Sequence, residues 1–118
     1  MISMREAYEK IGANYDYACA RLMGEEMLAR FALKFLDDES MDKLEAAMAA
    51  GDAEGAFMAA HTLKGVSQNL GFDNLYEPAV VVTEALRGAD AVDGAREGMH
   101  ALQQQYAATM SALREAAE

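Results

Sequence analysis

The stretch GDAEGAFMAAHTLKGVSQNLG, residues 51–71, decides the fold. Gly51 stands where a glycine ends one helix, and Asp52 directly behind it is placed to cap the next, because a carboxylate just ahead of a helix accepts its free backbone N–H groups. The helix so opened runs to Leu70 and ends at Gly71. A connection this short forces the helices on either side to lie antiparallel. Within the helix, Ala59, Leu63, Val66 and Leu70 recur on one side, while Met58, His61, Lys64, Gly65 and Gln68 fall on another. The apolar set is the core face, so His61 points outward, with Lys64 three and Gly65 four residues further on. Gly65 breaks a local rule. Alanine there would favour the helix by about 1 kcal/mol, and with no evident packing gain the break marks a working site.

The same punctuation continues upstream. Ser40 is a candidate N-cap for a helix carrying Met41, Leu44 and Met48 to Gly51. Ser3 and Glu6 have capping-box spacing, which predicts a short first helix to Ile11, stopped by Gly12. A second helix opens at Asn14 or Tyr15 and runs through Met23. A third runs from about Glu25 to Leu36, with Leu28, Phe31, Leu33 and Phe35 as its apolar surface.

Downstream, Asp73 or Asn74 caps a helix carrying Leu75, Val81, Val82 and Leu86 to Gly88. Its Val80–Thr83 segment is the only β-branched run in the chain and reads as buried helix face. Pro78 removes a backbone donor about one turn in, so either this helix starts at Pro78 or its first turn is distorted. Asp90 opens the last helix, which is expected to be the longest. There Val92, Ala95, Met99, Leu102, Tyr106, Met110 and Leu113 recur as a single core-facing stripe. The prediction is an all-α chain: an antiparallel four-helix bundle over 40–117, additional short N-terminal helices over 1–37 that cover one end of the core, and a single domain spanning 1–118.

Composition agrees with that reading and narrows the function. The chain has 118 residues, 53% of them hydrophobic, with one proline and no tryptophan, a helix-forming mixture of single-domain size. Twenty acidic residues against ten basic give a net charge of −10, which repels nucleic acid and anionic membrane surfaces, so neither is an expected partner. The single cysteine, Cys19, excludes an intramolecular disulfide and a cysteine-based zinc site and fits a reducing compartment. No apolar run approaches the roughly 20 residues of a spanning helix, and the N-terminus lacks the apolar segment of a secretory leader. A cytoplasmic, unanchored protein is expected. Two widely separated histidines make no metal site, and His100 reads as a polar residue flanking the last core stripe. There is no glycine-rich phosphate loop and no room for a kinase domain, so the chain cannot charge itself.

The His61 face suits one chemistry. A neutral imidazole attacks phosphorus near physiological pH, and a neighbouring ammonium holds the phosphoryl oxygens. A missing side chain at Gly65 lets a partner loop approach closely, and Phe57 and Met58, one turn before His61, supply one or two members of an apolar docking rim.

The residues HTLKG at 61–65, followed by NLG at 69–71, resemble the signature of the histidine-containing phosphotransfer domain of multistep phosphorelays. YDYACARLMGEEMLARFALKFL is similar to the N-terminal helices of bacterial members, and MDKLEAAMAAGDAEGAFMAAHTLKG to the two helices leading into the site. The resemblance implies that His61 is the phosphoacceptor, Lys64 the phosphate-stabilising cation, Gly65 the access residue and Gln68 a hydrogen-bond donor to the phosphoryl group. Many members orient the imidazole with a Gln or Glu on the following helix. The corresponding position here is Thr83, a departure that leaves the orienting bond to water, to Glu84 or to nothing. The implied partners are response-regulator receiver domains and a hybrid histidine kinase. No cofactor is implied, since Mg²⁺ belongs to the receiver's acidic pocket. A stand-alone, monomeric carrier without enzymatic activity is expected, and the alternative is a non-phosphorylated helical adaptor that binds and modulates a receiver or a kinase.

Overall fold

The computed structural model describes residues 1–117, so Glu118, the end of the expected domain, lies outside the described residues. Among the described residues seven α-helices follow one another: α1 (Met4–Ile11), α2 (Tyr15–Arg21), α3 (Glu25–Lys34), α4 (Ser40–Ala50), α5 (Ala53–Asn69), α6 (Asp73–Leu86) and α7 (Arg96–Ala117). Single 3₁₀ turns at Phe35–Asp37 and Asp93–Ala95 extend α3 and precede α7. The chain is all-α, as expected, with α4 to α7 forming the bundle and α7 its longest helix.

The caps explain most boundaries. Ser3 and Glu6 form the reciprocal capping box of α1, which ends at Gly12 in the left-handed region at φ 71°. Asn14 caps α2 and Asp52 caps α5 through its bond from the Gly55 N–H at 2.9 Å. Gly51 closes α4 at φ 72°.

Five expectations are corrected. Ser40 is the first helical residue of α4 and no cap: Glu39 takes that position without a side-chain bond, and Asp38 Oδ1 accepts the Ser40 N–H at 2.8 Å. Neither Asp73 nor Asn74 caps α6, which begins at Asp73 behind Phe72. Pro78 lies inside that helix and does not start it. The Asn74 side chain donates to Gln105 and Thr109 of α7 at 3.1 and 2.9 Å, so tertiary bonds hold the turn in which the proline removes a donor. Val81 is 58% exposed, whereas Val82 and Thr83 are fully buried, so only half of the β-branched run faces the core. The last helix opens at Arg96, because the Asp93–Ala95 turn comes first and Asp90 stands outside it.

The core holds α5 between α4 and α6, while α7 packs on α6 and carries α1 on its other side. Gln103 Nε2 donates to Glu45 Oε2 at 3.0 Å and ties α7 back to α4. Leu44, Leu63, Val82, Leu102 and Leu113 have no exposed surface, and burying each such side chain contributes about 1.5–3 kcal/mol. At the end covered by the N-terminal helices, Tyr8, Phe72 and Phe35 pack in sequence, tilted and edge-on, with centroid separations of 5.3 and 5.4 Å. That cluster anchors the far end of α5. The Tyr8 hydroxyl donates to the Leu70 carbonyl at 2.6 Å, and the Asn14 N–H donates to the Gly71 carbonyl at 2.8 Å. Helix α5 is therefore capped by Asp52 at its start and held by α1 and the α1–α2 loop at its end.

Candidate functional site

Helix α5 buries Ala56, Ala59, Ala60, Leu63 and Ser67 and turns the opposite face to solvent. On that outer face His61 and Gln68 are exposed, Lys64 and Gly65 are half-buried, and Met58 is 59% exposed. Phe57 is half-buried beside them. The helix thus brings together six of the seven residues singled out from the sequence.

Gly65 is the most informative of them. A Cβ built on it meets nothing within 4 Å. The helix accepts the propensity cost of glycine, about 1 kcal/mol, with no neighbouring group that needs the space. The vacancy lies on the face of the helix that carries His61, one turn earlier, and directly follows Lys64 in the chain.

Thr83 is the residue the structure does not bring to the site. It is fully buried, and its hydroxyl donates at 2.7 Å to the Ala79 carbonyl one turn earlier in α6, a local bond typical of threonine in a helix. This fully buried hydroxyl, bonded within its own helix, makes no hydrogen bond to His61, which stands exposed. The corrected position of Thr83 is the α6 core face.

Sequence reasoning missed Arg87, the residue that follows α6. Its guanidinium stands 5.2 Å from the centre of the Phe57 ring, within cation–π range, so it crosses from α6 to α5. It is fixed there by Glu84, which accepts from Arg87 Nη2 at 2.8 Å and from Nε at 3.1 Å. The Arg87 guanidinium, with a smaller contribution from Lys64, holds the Glu84 carboxyl below the usual carboxylate range. The i, i+3 spacing of Glu84 and Arg87 was visible in the sequence, but the reach across to α5 exists only once the helices are packed.

Phe57 completes the connection. It lies four residues before His61 on the same helix, and the two rings are near-parallel, 18° apart with centroids at 6.0 Å, inside the range of offset stacking. Among the described residues no side chain hydrogen-bonds an imidazole nitrogen, so His61 is held by a ring face alone. Lys64 follows His61 by three residues on the same helix, while the Arg87 charge over Phe57 is paired with Glu84, on a chain whose net charge is −10.

The family model of the Hpt domain matches residues 20–116, which include all of this face and all of the bundle but Ala117. The chain belongs to the Hpt domain family. Comparison with curated proteins and with solved structures gives no match. Hpt domains are phosphocarriers in two-component phosphorelays and interact with receiver domains, so family membership supports a phosphotransfer role for this chain in general terms. No helix among the described residues is long and apolar enough to cross a membrane.

Proposed function

We propose that this Hpt chain is a phosphorelay carrier in which His61 takes a phosphoryl group from the aspartyl phosphate of one receiver domain and passes it to an aspartate of another. An imidazole nitrogen attacks phosphorus, the acyl phosphate P–O bond breaks, and the aspartate leaves as carboxylate; the second transfer is the same reaction in reverse. Lys64 holds the phosphoryl oxygens as charge redistributes between nitrogen and oxygen. Gly65 admits the receiver's loop, Gln68 donates to a phosphoryl oxygen from the next turn, and Met58 with Phe57 forms the apolar rim. The carrier needs no cofactor of its own, since the Mg²⁺ of the reaction belongs to the receiver. It acts as one cytoplasmic, monomeric domain over residues 1–118, and a hybrid histidine kinase stands upstream of the donor receiver.

The observation that carries this reading is the pairing of an exposed His61 with the unfilled space at Gly65 on one face of a helix pinned at both ends. The test is phosphoryl transfer from a panel of phosphorylated receiver domains to the chain and to His61→Gln, with the product examined for acid-labile, base-stable phosphate. Label that moves to the native chain and not to His61→Gln supports the carrier. Receivers that bind both chains equally while no label moves would make the chain an adaptor.

A further inference from the structure

The imidazole of a phosphoacceptor has to be aimed, and neither candidate on α6 hydrogen-bonds it here: Thr83 is buried and bonded to Ala79, and the Glu84 carboxylate is bonded to Arg87. What His61 does touch is Phe57. We infer that Phe57, braced by Arg87, is the positioning residue for the His61 imidazole. The inference rests on the reading of His61 as the phosphoacceptor.

The physical case lies in where each contact falls on the ring. The lone pair that attacks phosphorus lies in the imidazole plane, so a hydrogen bond from an orienting group occupies one of the two nitrogens. A stacked ring covers the face and leaves both in-plane nitrogens free. Near-parallel stacking at a centroid distance of 6.0 Å restricts rotation of the imidazole about its own side-chain bonds while keeping its nucleophilic edge toward solvent. Phe57 can serve as a reference surface only if it is itself held. It is half-buried, and the Arg87 guanidinium lies 5.2 Å from its centre, fixed in turn by the Glu84 carboxylate. The order of dependence is Glu84, Arg87, Phe57, His61, and it runs from the end of α6 to the reacting group. The same contacts leave Met58, at 59% exposure, as the freer member of the apolar rim.

The test uses the free chain, so that docking does not enter it. Ring-proton resonances of His61 are compared with those of the exposed His100, which serves as an internal reference. Labelling is measured with phosphoramidate, a small donor whose P–N bond breaks with release of ammonia as the bond to imidazole forms. In the native chain the ring current of Phe57 sets the His61 resonances apart from those of His100. In Phe57→Leu they move toward His100, and labelling slows about two- to tenfold, the range that matches loss of one aromatic contact. Phe57→Tyr, which keeps the ring, restores both. Phe57→Leu with unchanged His61 resonances and native labelling overturns the inference, as does a Phe57→Tyr chain as slow as Phe57→Leu. Should Phe57→Leu lose its helical signal, the exposed change Arg87→Gln decides in its place: His61 resonances that shift uphold the inference, and ones that stay put overturn it. If the native chain takes no phosphoryl group at His61 from any donor, the carrier reading fails, and the resonances still report separately whether the stack exists.

Discussion

Gly65 and Gly71 are six residues apart on the same stretch of chain, and both break a helical pattern, yet they answer to different masters. A Cβ at Gly65 would meet nothing within 4 Å. A Cβ at Gly71 would come within 2.6 Å of the Asn14 carbonyl oxygen and 3.1 Å of Ala18 Cβ, on a backbone at φ 72°. The first glycine leaves room that the folded chain does not use. The second is required by the fold itself, where the end of α5 is wedged against α2 and the loop before it. A helix-breaking glycine therefore says only that space or a left-handed turn is needed; whether a partner or the protein's own backbone needs it is decided by what lies opposite.

The sharpest way to break this comparison is to fill both positions. Gly71→Ala forces a side chain into the left-handed region against a backbone oxygen, and we expect a loss of about 3 kcal/mol in unfolding free energy from urea titration. A loss under about 1 kcal/mol would show that the junction yields easily, and the contrast with Gly65 would collapse.

Next in size is Tyr8→Phe, which strips the Leu70 carbonyl of its buried donor and should cost about 1–2 kcal/mol. Burial, reinforced by repulsion from Cys19 and Tyr15, pushes the Tyr8 hydroxyl well above the ordinary phenol value. The unfolded chain releases that proton at about pH 10 while the folded chain keeps it. Above that pH the folded state binds more protons, so stability is complete below it and falls as pH rises. Urea midpoints should accordingly drop between about pH 9 and pH 11, and less steeply in Tyr8→Phe.

Gly65→Ala gives the smallest shift in stability and the opposite sign. The fold should gain up to about 1 kcal/mol, since helix propensity improves and nothing clashes. Transfer from a phosphorylated receiver should slow, while labelling by phosphoramidate, which needs no close approach of a protein loop, should change much less. Equal slowing with both donors would place the effect in the chemistry at His61 and remove the access role.

Much of this was legible in the sequence, for reasons that differ from residue to residue. The Ser3–Glu6 box, Gly12, Gly51, Asp52 and Gly71 are local devices, and a local device can be read locally. The outward face of α5 followed from helical spacing because one side of the helix is nearly all alanine, leucine and valine. Ser40 misled because Asp38, Glu39 and Ser40 all offer capping oxygens in a row, and Asp38 took the bond. Asp90 misled because the turn at Asp93–Ala95 postpones the helix by six residues in a segment rich in Gly, Ala and Asp. Val81 is exposed because it falls on the outer edge of α6, a matter of a single helical step. At the candidate site, position alone equated Thr83 with an orienting residue, but its hydroxyl was already committed to the preceding turn. Arg87 was invisible as a site residue because only tertiary packing carries its guanidinium over Phe57.

The restraint of α5 at both ends has a consequence for timing. The last turn of a helix ordinarily frays, but here the Leu70 and Gly71 carbonyls are held by Tyr8 and Asn14, so the platform beneath His61 stays formed between encounters. What remains free to move on the outer face is side chains such as Met58 and Gln68, which reorient in picoseconds to nanoseconds, far faster than loops open or domains rearrange. For the carrier proposed above, the surface offered to a receiver is thus already formed before docking, and α5 need not be rebuilt at each encounter.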